Sequence, residues 1–200
     1  IGFEHAGGNM VTTHTKCQIA FKEWAVAVDA LTNGNQIMLV RKGGISEDSK
    51  HFTVIHDKFL LYPTYEHQAK ELVKPNYQNQ LEKYQNSTTI QDPVIFNAWA
   101  EVVEVIELTD KNKLDSLSQF HIWTNDYAES RLRWKPSFPL SIMLLKVHSL
   151  TTPVTIPYQD AFGGCKSWVD LDNSLDLEQN PVLSPSELTS IIDSIKTILK

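Results

Sequence analysis

Within "HDKFLLYPTYEHQ", His56 to Gln68, an apolar run gives way to a crowd of hydrogen-bonding side chains around one proline. Tyr62, Thr64, Tyr65, Glu66, His67 and Gln68 all fall in seven residues. Glu66 and His67 place a carboxylate beside an imidazole, the pairing that general acid–base chemistry uses. Part of this polarity fits a helix start: Pro63 holds Tyr62 extended, and Thr64 is placed to cap a helix beginning at Tyr65. Two tyrosines and a histidine exceed what a cap needs. They suit a pocket wall in which rings stack and the imidazole exchanges a proton.

Three other stretches carry chemistry. In "LVRKGGISE" an apolar run delivers Arg41 and Lys42, and Gly43 and Gly44 follow. Glycines let backbone N–H groups approach an anion that the two cations would hold; the plain alternative is a basic strand end and a flexible loop. In "FHIWTNDYAESRLRWKP", Tyr127, Arg131 and Trp134 share a helical face, near His121, Trp123, Arg133 and Lys135. Aromatic rings interleaved with cations stack a base and clamp its phosphate, unless the rings fill core and the arginines pair with acids. In "FGGCKSWVDL" Lys166 adds a cation beside Cys165. A neighbouring ammonium can activate a thiol, although a thiol with no defined partner is more often structural. Asp48-Ser49-Lys50 has the D-x-K form of half a Mg²⁺-dependent nuclease centre, but it lies in a polar loop.

The strong signatures are absent: no Walker A loop, no GxGxxG after a strand, no HExxH, no paired CxxC, no GxSxG. Net charge is −6 over 200 residues. This argues against a duplex-DNA binder with a broadly basic surface and leaves room for a local basic groove. Hydrophobic content of 42% and charged content of 21% are those of a globular chain. No stretch approaches a membrane span. The opening residues have no basic, apolar leader pattern. Residues 1–9 read as a remnant or upstream reading frame before Met10, and 10–200 as a single globular domain. Two distant cysteines suit a reducing compartment, so the expected location is cytoplasmic.

The elements that must position these residues follow from pattern. Residues 22–31 and 36–42 alternate around Asn33-Gly34, which predicts an N-terminal β-hairpin. Short strands are expected near 51–55 and 58–62, and two short helices, or a helix and a loop, between Glu66 and Tyr84, interrupted by Pro75. "VIFNAWAEVVEVIEL" predicts one long strand, with Ala98 to Leu108 open to a helical reading, "PLSIMLLKVHSL" a buried strand, and "VTIPY" and "SWVDL" two more. Thr124 is placed to cap a helix over "NDYAESRLRW". In "SPSELTSIIDSIKTILK", Ser184, Pro185 and Glu187 form a helix start with a capping box over 184–199. The fold class is α+β, a mixed or antiparallel sheet with flanking helices and a C-terminal amphipathic helix.

Together "KEWAVAVDAL", "QIMLVRKGGI", "FLLYPTYEHQ", "FHIWTNDYAESRLRWKP" and "FGGCKSWVDL" resemble the prokaryotic domain-of-unknown-function family 1802 over about residues 19–172. The resemblance implies one fold for these blocks and brings no activity or site residues. From the residues themselves, the leading expectation is a module binding a nucleotide or single-stranded nucleic acid. Arg41, Lys42, Gly43, Gly44, Arg131, Arg133 and Lys166 would meet phosphate, and Tyr62, Tyr65, Trp123 and Trp134 would supply rings. One alternative is a phosphodiester hydrolase with Glu66 and His67 as acid and base, the only reading that calls for Mg²⁺; no other cofactor is expected. The other is a structural or regulatory protein with no catalytic site.

Overall fold

The computed structural model describes residues 15–42, 56–134 and 136–200. The expected α+β class is found: six strands form one mixed sheet in the order β2-β5-β4-β3-β1-β6. They are β1 (Thr15–Trp24), β2 (Met38–Lys42), β3 (Lys58–Thr64), β4 (Val94–Leu108), β5 (Leu140–Ile156) and β6 (Trp168–Leu177). The helices are α1 (Ala25–Thr32), α2 (Pro75–Ser87), α3 (Lys111–Ser116), α4 (Asn125–Arg133) and α5 (Pro185–Leu199). β1 and β3 run parallel, and every other neighbouring pair is antiparallel.

The N-terminal hairpin is not formed. β1 passes directly into α1 at Trp24, and β2 pairs with β5. The alternation of Val26 and Val28 with alanines misled because both sets are apolar; Ala25, Val26, Ala27, Val28, Ala30 and Leu31 are all buried. A short helix that is apolar all round is a buried helix. Asn33-Gly34 ends it. Gly34 takes φ 72°, its N–H donates to Leu31 O, and the Asn35 N–H donates to Ala30 O. That pair of bonds is a Schellman termination, which needs the same left-handed glycine as a hairpin turn.

Other boundaries follow local rules. Pro75 opens α2 rather than interrupting it. Thr124 Oγ1 accepts from the Tyr127 N–H at the start of α4. Ser184 and Glu187 make the expected capping box on α5, and Leu188, Ile191, Ile192, Ile195 and Leu199 join the core over β2 and β5. "VTIPY" continues β5 to Ile156 instead of forming a strand of its own, and "SWVDL" begins β6. The strand expected at 51–55 lies outside the described residues.

The sheet is strongly curled. Phe21, Leu39, Phe59, Leu61, Ala98, Ala100, Met143 and Leu145, drawn from five strands, meet in one core that Val28 and Leu31 of α1 close. The most telling contact is Arg41. It lies on edge strand β2, yet its Nη2 donates to Glu23 Oε2 and to Lys22 O of β1, each at 2.7 Å. Its guanidinium also lies 4.4 Å from the centroid of the Phe21 ring. β1 is the fifth strand in the order from β2. Side chains therefore span a seam that no backbone ladder crosses among the described residues.

Removing one partner from a buried ion pair leaves the other charge uncompensated, at about 3–5 kcal/mol. Arg41→Met should lower the unfolding free energy measured in urea by that order, and Glu23→Leu in the same chain should recover much of the loss. A single-variant cost below about 1 kcal/mol would show that the pair does not hold the seam.

Candidate functional site

The parallel pairing of β1 and β3 makes both strands leave the sheet on the same side, where Trp24 lies beside Thr64. β6 runs antiparallel to β1, so the loop before it reaches the same place, with Phe21 beside Trp168. An open cleft of about 390 Å³ lies there. Lys22, Glu23 and Trp24 come to it from β1, Thr64, Glu66 and His67 from the end of β3, and Gly164 to Ser167 from the loop. Arg41 reaches it from β2 and Arg131 from α4.

Five of the expected residues, Arg41, Glu66, His67, Arg131 and Lys166, thus line one cleft. Arg41 faces it already paired with Glu23. Arg131 lies 5.1 Å from the centroid of the Tyr127 ring. Tyr62 and Tyr65 line an adjoining recess of about 30 Å³, together with Val94, Tyr158 and Phe162. Burial, with Tyr158 and Glu66 nearby, pushes the Tyr62 hydroxyl up to about 12.

The remaining expected residues lie elsewhere. Lys42 is buried, and its Nζ donates to Leu132 O near the end of α4, so this ammonium serves a helix terminus. Arg133 is exposed, 3.8 Å from Glu129, and away from the cleft. Trp123 is core: 1% exposed and stacked on Tyr127 at 4.4 Å. Trp134, at the end of α4, does not line the cleft. Gly43, Gly44, Lys135 and the Asp48-Ser49-Lys50 triplet lie outside the described residues.

Thr64 caps no helix. It ends β3, its Oγ1 donates to Glu23 O at 3.2 Å, and its carbonyl accepts from Gln68 Nε2 across a turn. Inside that turn His67 has φ 54°, the one left-handed non-glycine among the described residues. Histidine tolerates this region better than most side chains, at a cost in strain.

Two residues of the cleft were not among the expected site residues. Trp24 is partly buried, held edge-on by Trp123 at 4.9 Å and Tyr127 at 5.7 Å. Lys22 belongs to both cavities. Its Nζ donates to Phe162 O and, at 3.3 Å, to Gly164 O, while Lys166 Nζ donates to Ala161 O. One loop thereby collects two ammonium groups. Burial and then Lys166 push Lys22 below the ordinary lysine range, against the opposing pull of Glu66. The signal for both residues was polar or amphipathic side chains at the end of an apolar strand, "IAFKEW".

Four cations and two carboxylates surround the cleft among the described residues, and Arg41 and Glu23 cancel each other. Lys22, Lys166 and Arg131 have no carboxylate at ion-pair distance among those residues. No group of three or more His, Cys, Asp and Glu side chains suited to a metal is found there either.

The family model for DUF1802, a domain of unknown function, matches residues 20–194. The chain belongs to this family. No curated protein matches it. Among solved structures, this DUF1802 chain is similar to ASCH from Zymomonas mobilis, at 11% identity and a TM-score of 0.44 over 88% of this chain and 93% of that one. It is similar also to a mutant of the same protein, at 10% identity and 0.46 over 88% and 94%. A likeness this distant carries no functional argument. No helix among the described residues is long and apolar enough to cross a membrane.

The strain at His67 yields one test. His67→Gly removes the left-handed cost of about 1 kcal/mol and should leave stability equal or higher in urea, while His67→Val should lower it. A clear loss with glycine would mean that the imidazole contributes packing there. Buried His121 yields another. Burial and nearby Lys74 push it down from 6.5 to about 4. In the unfolded chain it takes up its proton first, so stability should fall as pH drops from about 6.5 to about 4, by on the order of 3 kcal/mol. His121→Phe should flatten that decline; an unchanged slope would assign the acid sensitivity to other groups.

Proposed function

We propose that the cleft binds a nucleotide or a single strand of nucleic acid, with phosphate on Lys22, Lys166 and Arg131 and a base against Trp24. One observation carries this reading: cations with no carboxylate at ion-pair distance among the described residues share a cleft with an indole braced by other rings. A volume near 390 Å³ lies within the usual range for small-ligand sites. The net charge of −6 opposes anions at long range, so the attraction is local and favours a short segment over a long duplex.

A second reading, phosphodiester hydrolysis with Glu66 and His67 as acid and base, draws on the left-handed backbone of His67 in the cleft wall. Strained residues gather at active sites. Turnover of a phosphodiester that requires Mg²⁺ separates this reading from simple binding.

Fluorescence anisotropy with short single-stranded RNA and DNA, alongside a mononucleotide, tests the binding reading. Three phosphate contacts on a single strand predict a slope of log affinity on log salt of about −2. Trp24→Ala should cost about 1–3 kcal/mol of binding if a base stacks there. Trp134→Ala should leave binding unchanged, since Trp134 lies away from the cleft. Melting is measured beside binding, because Trp24 also touches Trp123 and Tyr127. No binding at low salt, or an equal loss from Trp134→Ala, would reject the assignment.

A further inference from the structure

Lys22 has a setting that anion binding alone does not use. It stands where the open cleft meets the aromatic recess, and Thr64 and Glu66 border both cavities with it. Its ammonium is partly buried, 5.6 Å from the centroid of the Tyr62 ring, and a second ammonium, Lys166, lies close enough to repel it. Desolvation and a neighbouring cation are the two conditions that convert a lysine into a nucleophilic amine. The hydrogen bonding holds the ammonium and also accommodates the neutral amine formed when it gives up a proton. A neutral amine has two N–H bonds and one lone pair, and two carbonyls, Phe162 O and Gly164 O, are there to accept the N–H bonds. The lone pair is then left for an electrophile.

We propose that Lys22 forms a reversible imine with a phosphorylated aldehyde whose phosphate rests on Lys166 and Arg131. The amine lone pair makes the C–N bond, and the carbonyl oxygen takes up a proton to become a carbinolamine hydroxyl. That hydroxyl leaves as water with a second proton, and the nitrogen gives up its two N–H protons over the two steps, so amine and aldehyde give imine and water with no oxidant or reductant. Glu66, on the wall of both cavities, is the carboxylate placed to carry these protons. The recess of about 30 Å³ has room for the one water exchanged, which needs roughly 10–15 Å³ and polar partners. This inference rests on the anion-binding half of the proposed function and adds a covalent step to it.

The test uses glyceraldehyde 3-phosphate as probe, with unphosphorylated glyceraldehyde as control, borohydride trapping and peptide mapping by mass spectrometry. Lys22 should carry most of the adduct, the control aldehyde should label it far less, and Lys166→Gln should shrink the difference. Lys22→Arg and Lys22→Met should each lose the adduct while melting as the parent does; if neither folds, the map of the parent protein decides. Adduct spread over the exposed lysines, or an unlabelled Lys22, overturns the imine. When Lys22 stays unlabelled although the nucleotide binds the cleft, only the covalent step falls. When neither is seen, the binding reading falls with it.

Discussion

The pairing of Arg41 with Glu23 joins two sides of the sheet between which no backbone ladder runs among the described residues. Curling five strands far enough to bury Phe21, Leu39, Phe59 and Met143 together brings β2 toward β1 with no backbone ladder between them among the described residues. An unpaired approach of this kind has no register of its own. The guanidinium supplies one, because a single side chain meets a carboxylate and a backbone carbonyl of consecutive residues, Glu23 and Lys22, while resting on Phe21. Buried ion pairs contribute little net stability against an apolar replacement, and their best-attested role is to fix one arrangement among several. Here the arrangement fixed is the position of the end of β1, and so of every β1 residue in the cleft.

The charge pattern of the cleft follows. With Glu23 committed to Arg41, no carboxylate on β1 is left for Lys22. The ammonium turns instead to Phe162 O and Gly164 O in the loop before β6, where Lys166 does the same with Ala161 O. Backbone carbonyls orient an ammonium without neutralising it. Two like charges are thus held near one another, with Glu66 and then Cys165 opposing the effect at Lys22. Such a cluster costs the folded chain some electrostatic energy, and an anion would remove that cost on binding.

What could be read from sequence was what local chemistry decides. The capping box and apolar stripe of α5, the cap of α4 and the long strands β4 and β5 depend on neighbours within a few residues, and they appear as expected. Asn33-Gly34 could be recognised as needing positive φ, but that need is shared by hairpin turns and helix ends. Only the destination of β2, paired to β5 and remote in sequence, separates them. The candidate site divides along the same line. Glu66, His67, Arg131 and Lys166 stood out because polar residues crowd around a proline, a helix or a glycine pair. Lys22 and Trp24 did not, because one lysine and one indole at the end of an apolar strand are ordinary in isolation. Their role comes from what the parallel pairing of β1 with β3 sets beside them.

Trp123 and Trp134 show why residue type misleads when position is unknown. Trp123 was expected to offer its ring to a ligand and instead stacks on Tyr127, while Trp24, read as one more residue of a hairpin strand, is the indole that reaches the cleft. The two are one unit. Trp123 and Tyr127 meet Trp24 at 81° and 63°, so neither buried ring stacks face to face on the one that lines the cleft. Steeply tilted ring contacts of this kind are favoured over face-to-face sandwiches and hold an aromatic ring in orientation. An indole braced this way loses little further freedom when a flat ligand stacks on it, which lowers the entropic cost of binding. The aromatic residues of α4 and its lead-in therefore serve the cleft from behind, through a residue that sequence spacing alone did not connect to them.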